Sequence, residues 1–105
     1  MADELHFTPA SEFNLSAEGL DVPLDENNLI TEAYDLIRTK IKSVPVEYAV
    51  HLKKKIPVGS GLGGGSSNAA ATLIALNQLW NLNQSDEKLE TIGKSLGADV
   101  PFFIK

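Results

Sequence analysis

The chain has 105 residues, a formal net charge of −5 and no cysteine. This length predicts one domain over residues 1–105. The acidic balance disfavours a nucleic-acid partner, and no apolar run is long enough to cross a bilayer. The lack of cysteine excludes disulfides and thiol chemistry, and the N-terminus shows no secretory signal, so we expect a cytoplasmic protein.

Two short strands are predicted at the start of the chain, on either side of a turn at residues 8–11. Apolar and polar residues alternate in both, as expected of half-buried strands. A helix should follow, with cap candidates and first-turn acids at residues 25–28 and helical apolar spacing up to Ile41. We expect it to end near Ser43, because the residue before Pro45 disfavours helical backbone.

The clearest strand prediction covers residues 46–56, where apolar side chains fall on one face and polar ones on the other. One buried and one wet face indicate an antiparallel or mixed sheet covered on a single side. Only Lys54 interrupts the apolar face. The run of Lys53, Lys54 and Lys55 has two interpretations. We favour a solvated strand end whose charges disfavour pairing at an exposed sheet edge, and the alternative is a positive potential near a bound anion.

Two helices are predicted in the second half of the chain. The first runs from Ala69 to about Leu82, and its helical spacing includes Leu79 and Trp80. Trp80 and, in the preceding strand, Tyr48 fall on apolar stripes, which favours core packing over base stacking for both. The second has Ser85 as its N-cap and an apolar stripe of its own. Gly97 should follow it as the C′ residue.

The last residues are interpreted as a loop at 98–101 and the beginning of a strand at 102–104. These elements together predict an α+β fold, in which helices cover one face of a mixed or antiparallel sheet. Because the chain stops in an apolar run, we expect it to be part of a longer domain.

Five of the eight glycines fall within residues 59–65, between the predicted strand and the predicted helix. Glycine costs backbone entropy and buries no side chain, so this density indicates a backbone that curls closely around a bulky group. The first N–H groups of a helix lack partners and the helix dipole is positive there, which favours an anion. The sequence therefore predicts a phosphate site.

Several known glycine loops fit this run only in part. Gly59, Gly61 and Gly64 match G-x-G-x-x-G, but the acids at about the right distance lie at a helix start rather than a strand end. A Walker A loop would need a lysine before its Ser or Thr, and a protein-kinase loop would need a valine at Ser66. A flexible linker is the remaining alternative, although the run is short and flanked by regular elements.

The loop resembles the Pro-x-x-x-Gly-Leu-Gly-x-Gly/Ser-Ser-Ser-x-Ala motif of the GHMP kinase superfamily. The matching positions are Pro57, Gly61, Leu62, Gly63, Ser66, Ser67 and Ala69. Residues 96–102, Leu-Gly-Ala-Asp-Val-Pro-Phe, are similar to a second signature, and residues 26–30 to an upstream one. The resemblance implies the fold of the GHMP-kinase N-terminal domain and covers most of the chain.

The motifs look most like the branch that phosphorylates the 2-hydroxyl of a cytidine-diphosphate-linked methylerythritol in non-mevalonate isoprenoid biosynthesis. This implies a small-molecule substrate, with ATP and Mg²⁺. By the same resemblance, backbone N–H groups and hydroxyls would bind the ATP phosphates along Pro57, Gly59, Ser60, Gly61, Leu62, Gly63, Gly64, Gly65, Ser66 and Ser67. Ser66 would also reach Mg²⁺.

Asp99 matches the catalytic aspartate of the family and would orient and deprotonate the attacking hydroxyl. Its structural alternative is an Asx turn before Val100-Pro101. The family also has an N-terminal strand with a catalytic lysine and a C-terminal domain, and neither can be matched here. Two other hypotheses stay open: a nucleotide- or phosphate-binding module without catalysis, and an interaction fragment whose sheet edges pair with another chain.

Overall fold

The structure is a computed structural model that describes residues 3–19, 24–41, 44–55 and 64–104. Within these ranges the α+β class is confirmed. The elements in chain order are β1 (Glu4–Ala10), β2 (Asn14–Gly19), α1 (Leu24–Arg38), β3 (Glu47–Lys54), α2 (Gly64–Leu79), α3 (Asp86–Lys94) and a 3₁₀ helix (Val100–Phe103).

The three strands form a mixed sheet in the order β1-β3-β2. β3 pairs antiparallel with β1 and parallel with β2, so that Val50 lies between Phe7 and Leu15. The predicted turn at residues 8–11 is wrong, because β1 continues to Ala10 and the chain bends only afterwards. Pro9 is tolerated within β1 because an edge strand can lose one donor.

The sheet is covered on the face predicted from the alternation in β3. Tyr48, Val50 and Leu52 are buried there, and they belong to a core that includes residues of α1 and α2. Trp80 is buried in the same core, where its indole Nε1 donates to the Val46 carbonyl at 2.8 Å. Core packing is therefore confirmed for Trp80 and Tyr48.

Several helix boundaries differ from the prediction, including the start of α2, which is Gly64 rather than Ala69. α1 begins before the proposed cap residues and ends at Arg38, where the Thr39 hydroxyl donates to the Leu36 carbonyl at 2.8 Å. α2 ends at Leu79 rather than Leu82, because Asn81 adopts a left-handed conformation with φ of 52°. Leu79, the last residue of α2, is 42% exposed.

The N-cap of α3 is confirmed, because Ser85 Oγ accepts from the Lys88 N–H at 3.2 Å. Its C-cap is Ser95, so the C′ position is Leu96 and the prediction of Gly97 at C′ is wrong by one residue. The predicted strand at residues 102–104 is wrong. That segment lies in and just after the 3₁₀ helix, whose first turn accommodates Pro101 because this residue needs no N–H partner there.

In the part of the chain that is described, no helix has the length and apolarity needed to span a membrane.

Candidate functional site

Most of the predicted phosphate loop lies outside the described residues. This applies to Pro57, Gly59, Ser60, Gly61, Leu62 and Gly63. The described chain resumes at Gly64, the first residue of α2. The roles of these loop residues therefore stay predictions, and the geometry of the site comes from the elements on either side.

The first turn of α2 contains Gly64, Gly65, Ser66 and Ser67 and has no acidic residue. Its leading N–H groups have no carbonyl four residues earlier in the helix to bond with. Acids normally occupy a first turn because they interact favourably with the helix dipole. A turn of glycines and serines leaves that positive end to another anion, which fits a phosphate.

The rest of α2 is fixed by burial. Ala69, Ala70, Leu73 and Leu76 are fully buried, and the helix packs along α1. Thr72 is also fully buried, and its hydroxyl donates to the Asn68 carbonyl one turn earlier at 2.9 Å. The serines of the first turn are thus carried by a rigid element, as positioning of a phosphate requires.

Lys54, the last residue of β3, corrects the interpretation of the lysine run. Lys53 and Lys55 are exposed, as expected of a solvated strand end, but Lys54 is buried. Its Nζ lies 3.1 Å from Asp3 Oδ2, and both side chains are only 1% exposed. The apolar face of β3 therefore ends in an ion pair just before the loop.

Asp3 has two further donors around the same carboxylate. Asn68 Nδ2 donates to Oδ2 at 2.9 Å, and the Lys55 N–H donates to Oδ1 at 2.8 Å. Neither Asp3 nor Asn68 was predicted as a site residue from the sequence. The available signal was Lys54 itself, because a lysine on a buried strand face requires a charged or hydrogen-bonded partner.

Asp99 is exposed and occupies the N-cap of the 3₁₀ helix, with φ of −90° and ψ of −14°. Its side chain makes no capping hydrogen bond. An Asx turn would need an N–H two residues on, and Pro101 has none. The geometry therefore disfavours the Asx turn, and the Asp99 carboxylate does not cap the 3₁₀ helix. Its catalytic role stays a prediction.

The residue after Asp99 is held firmly. Val100 is fully buried, and its N–H donates to the Gly97 carbonyl at 3.2 Å. A Cβ added at Gly93 would come within 2.8 Å of Val100 Cγ1, so only glycine lets α3 approach this closely. α2 also packs against the 3₁₀ helix. One helix thus carries the serine turn and supports the segment that follows Asp99.

The donor set for a metal is sparse. Across residues 3–19, 24–41, 44–55 and 64–104, no three His, Cys, Asp or Glu side chains are grouped so as to hold an ion. Mg²⁺ usually keeps several waters and is bound through few protein ligands plus substrate phosphates. A single hydroxyl such as that of half-buried Ser66 fits a phosphate-bridged Mg²⁺ and not a dedicated metal cage.

The comparisons with known proteins agree with the motifs. The model of the GHMP kinases N terminal domain matches residues 28–105. A protein of Acinetobacter baumannii named 4-diphosphocytidyl-2-C-methyl-D-erythritol kinase is 48% identical over 97% of this chain and 36% of its own length. A protein of the same name from Prochlorococcus marinus is 44% identical over 98% of this chain and 33% of its own.

A solved structure gives the same result for the fold. The crystal structure of a 4-(cytidine 5′-diphospho)-2C-methyl-D-erythritol kinase is 38% identical and has a TM-score of 0.74, covering 97% of this chain and 35% of that one. The chain thus spans about a third of the length of the curated relatives it matches. On the family match and on these identities, the chain belongs to the GHMP kinase family and carries sequence of its N-terminal domain.

Proposed function

We propose that this chain is the ATP-binding part of a kinase that phosphorylates the 2-hydroxyl of 4-diphosphocytidyl-2-C-methyl-D-erythritol in non-mevalonate isoprenoid biosynthesis. The observation that supports it most is the acid-free first turn of α2, which follows the family's glycine motif directly. The name of the relatives supplies the substrate of the proposal. A cytoplasmic location, expected from the sequence, is part of it.

Binding of the triphosphate falls to the loop and the start of α2. Backbone N–H groups of residues 59–67 surround the phosphates, and the hydroxyls of Ser66 and Ser67 add donors at the helix end. Phosphoryl transfer needs positioning and charge stabilisation more than covalent help from the protein. The Ser66 hydroxyl would hold Mg²⁺ from this chain, and the ion would supply positive charge that offsets the charge of the phosphates.

Asp99 acts on the substrate hydroxyl. Its carboxylate accepts the proton as the hydroxyl oxygen bonds to the γ-phosphorus, while the bond from that phosphorus to the β–γ bridging oxygen breaks and ADP leaves. An exposed side chain on a buried backbone segment suits this task, because the carboxylate is accessible and its position is fixed by Val100. The catalytic lysine and the C-terminal domain of the family are supplied by the rest of the full-length protein.

Asp99→Asn in the full-length protein tests the proposal. The variant should lose phosphoryl transfer by at least about 100-fold in kcat, because general acid–base catalysis contributes this much. Affinity for a non-hydrolysable ATP analogue should be retained. Two quantities are measured with 4-diphosphocytidyl-2-C-methyl-D-erythritol as substrate: the formation of ADP, and the formation of labelled product from γ-labelled ATP.

Asp86→Asn is the matched control, because Asp86 is also exposed and lies on the neighbouring helix α3. It should keep the wild-type kcat. Analogue binding without transfer by the wild-type protein would replace the proposal with the non-catalytic nucleotide-binding module. Wild-type activity in Asp99→Asn would remove Asp99 from the mechanism.

A further inference from the structure

One carboxylate connects both ends of the predicted phosphate loop. The strand that enters the loop contributes Lys54 Nζ and the Lys55 N–H, and the helix that leaves it contributes Asn68 Nδ2. All three donate to Asp3, the residue before β1, whose first residue Glu4 pairs with Lys53 of β3. The loop therefore begins and ends at groups that share a single acceptor.

The sequence between these two ends is rich in glycine. It contains five glycines within residues 59–65, and glycine backbone explores far more conformations than that of other residues. A binding loop that must be ordered by its ligand loses affinity by the cost of that ordering. A contact that holds the two ends in place reduces this cost before the ligand arrives.

The charges of the cluster suit a position next to an anion. An unpaired carboxylate near bound phosphate would repel it, but Lys54 pairs with Asp3 at 3.1 Å and both side chains are 1% exposed. The pair adds no net negative charge at the loop. Its burial strengthens the hydrogen bonds, because water does not compete for them.

We propose that Asp3 is a positioning residue for phosphoryl transfer, which holds the end of β3 and the start of α2 at the separation that the ATP phosphates require. This inference rests on the proposed function, since it assigns a supporting residue to the same site. It makes Asn68 the contact on the helix side and Lys54 the contact on the strand side.

Two variants of the full-length protein separate positioning from charge. Asp3→Asn removes one negative charge, so an electrostatic effect alone would lower KM for ATP. Loss of positioning should instead raise it, by about 10-fold or more, as misplacement of a binding group does. Asn68→Ala removes only the contact to α2 and keeps both net charge and ion pair, and it should also raise KM for ATP while KM for the alcohol substrate stays unchanged.

A second readout distinguishes positioning from a general loss of structure. Affinity for a non-hydrolysable ATP analogue should fall in both variants, whereas affinity for adenosine, which has no phosphates, should not. Tyr34→Phe is the control, because Tyr34 stabilises the opposite end of β3 through bonds to Glu47 and Tyr48. It should lower the melting temperature without changing KM for ATP.

The KM for ATP in Asp3→Asn and Asn68→Ala decides whether Asp3 is a positioning residue. An unchanged or lower KM for ATP in both variants overturns the inference, as does an equal loss of affinity for the analogue and for adenosine. Where the two variants differ, or where Asp3→Asn does not fold, Asn68→Ala decides because its ion pair is intact. If the wild-type protein showed no phosphoryl transfer, the proposed function would be overturned as well. If the wild type is fully active and the variants do not behave as expected, only the role of Asp3 is overturned.

Discussion

The two ends of β3 carry polar clusters that differ in burial. At the loop end, Lys54 and Asp3 form an ion pair whose side chains are 1% exposed. At the other end, Arg38 Nε donates to Glu47 Oε2 at 2.8 Å, and these side chains are 30% and 21% exposed. The Tyr34 hydroxyl completes the second cluster by donating to Glu47 Oε1 at 2.7 Å.

The difference indicates what each cluster contributes. Removing two charges from water costs several kcal/mol, so a buried pair stabilises a fold little compared with apolar packing. Loss of one partner, however, leaves an uncompensated buried charge and is strongly destabilising. A partly exposed pair contributes less to the free energy of unfolding, and its loss costs less, because water screens the two charges. Loss of one partner should therefore cost more at the loop end of β3 than at the other end. The loop end is where the candidate site needs fixed geometry.

Asp3→Ala should give the largest effect on stability. It leaves Lys54 buried without its carboxylate, and loss of one partner of a buried pair costs about 3–5 kcal/mol. Chemical denaturation of the full-length protein measures the free energy of unfolding. The double variant Asp3→Ala/Lys54→Met is the control and should recover most of the loss. If Asp3→Ala lowered the free energy of unfolding by no more than the loss of a surface pair does, the two ends of β3 would not differ as proposed.

Tyr34→Phe should have an intermediate effect at the other end. The Tyr34 oxygen also accepts from the Tyr48 N–H at 2.9 Å, so the variant leaves a buried donor without an acceptor. This costs about 1–3 kcal/mol in the free energy of unfolding. The melting temperature should fall accordingly, and a neutral result would mean that water reaches the Tyr48 N–H.

Glu47→Gln should have the smallest effect, below about 1 kcal/mol at neutral pH. The hydrogen bond from Tyr34, followed by that from Arg38, lowers the pKa of Glu47 below its usual range in the folded protein. Glu47 thus contributes stability that is present above its unfolded pKa of about 4.3 and is lost as the pH falls through the folded value.

The pH profile of unfolding checks this sign. The difference in stability between wild type and Glu47→Gln should be constant near neutrality and should shrink to nothing in acid. A difference that grows on acidification would contradict the assignment. Burial and the Glu47 hydrogen bond raise the pKa of Tyr34, so this phenol stays a donor throughout the range.

Local patterns in the sequence predicted the parts of the fold that depend on local physics. Alternation in β3 identified the buried face with Tyr48, Val50 and Leu52, because the side-chain period of a strand is fixed by its backbone. Ser85 was predicted as a cap for a similar reason, since its hydroxyl reaches an N–H three residues on. The family motifs predicted the family match.

Long-range pairing was not predictable in the same way. Nothing near β1 or β2 indicates that β3 lies between them, because that order depends on contacts between residues far apart in the sequence. The burial of Lys54 depends on Asp3 and Asn68, which are distant in sequence. A 3₁₀ helix follows Asp99 where a strand was predicted, and its residue Val100 is buried close to Gly93, a contact between distant elements that local patterns do not indicate.

The strand order has a consequence for how the protein is made. β1 and β2 leave the ribosome before β3, yet each pairs only with β3 in the described sheet. Phe7 and Leu15 must therefore wait, with unpaired backbone, until the segment around Val50 has been synthesised. Distant pairings form slowly, and strands that wait for a partner are prone to aggregate. Pausing of translation before β3 should thus expose the nascent chain to chaperones.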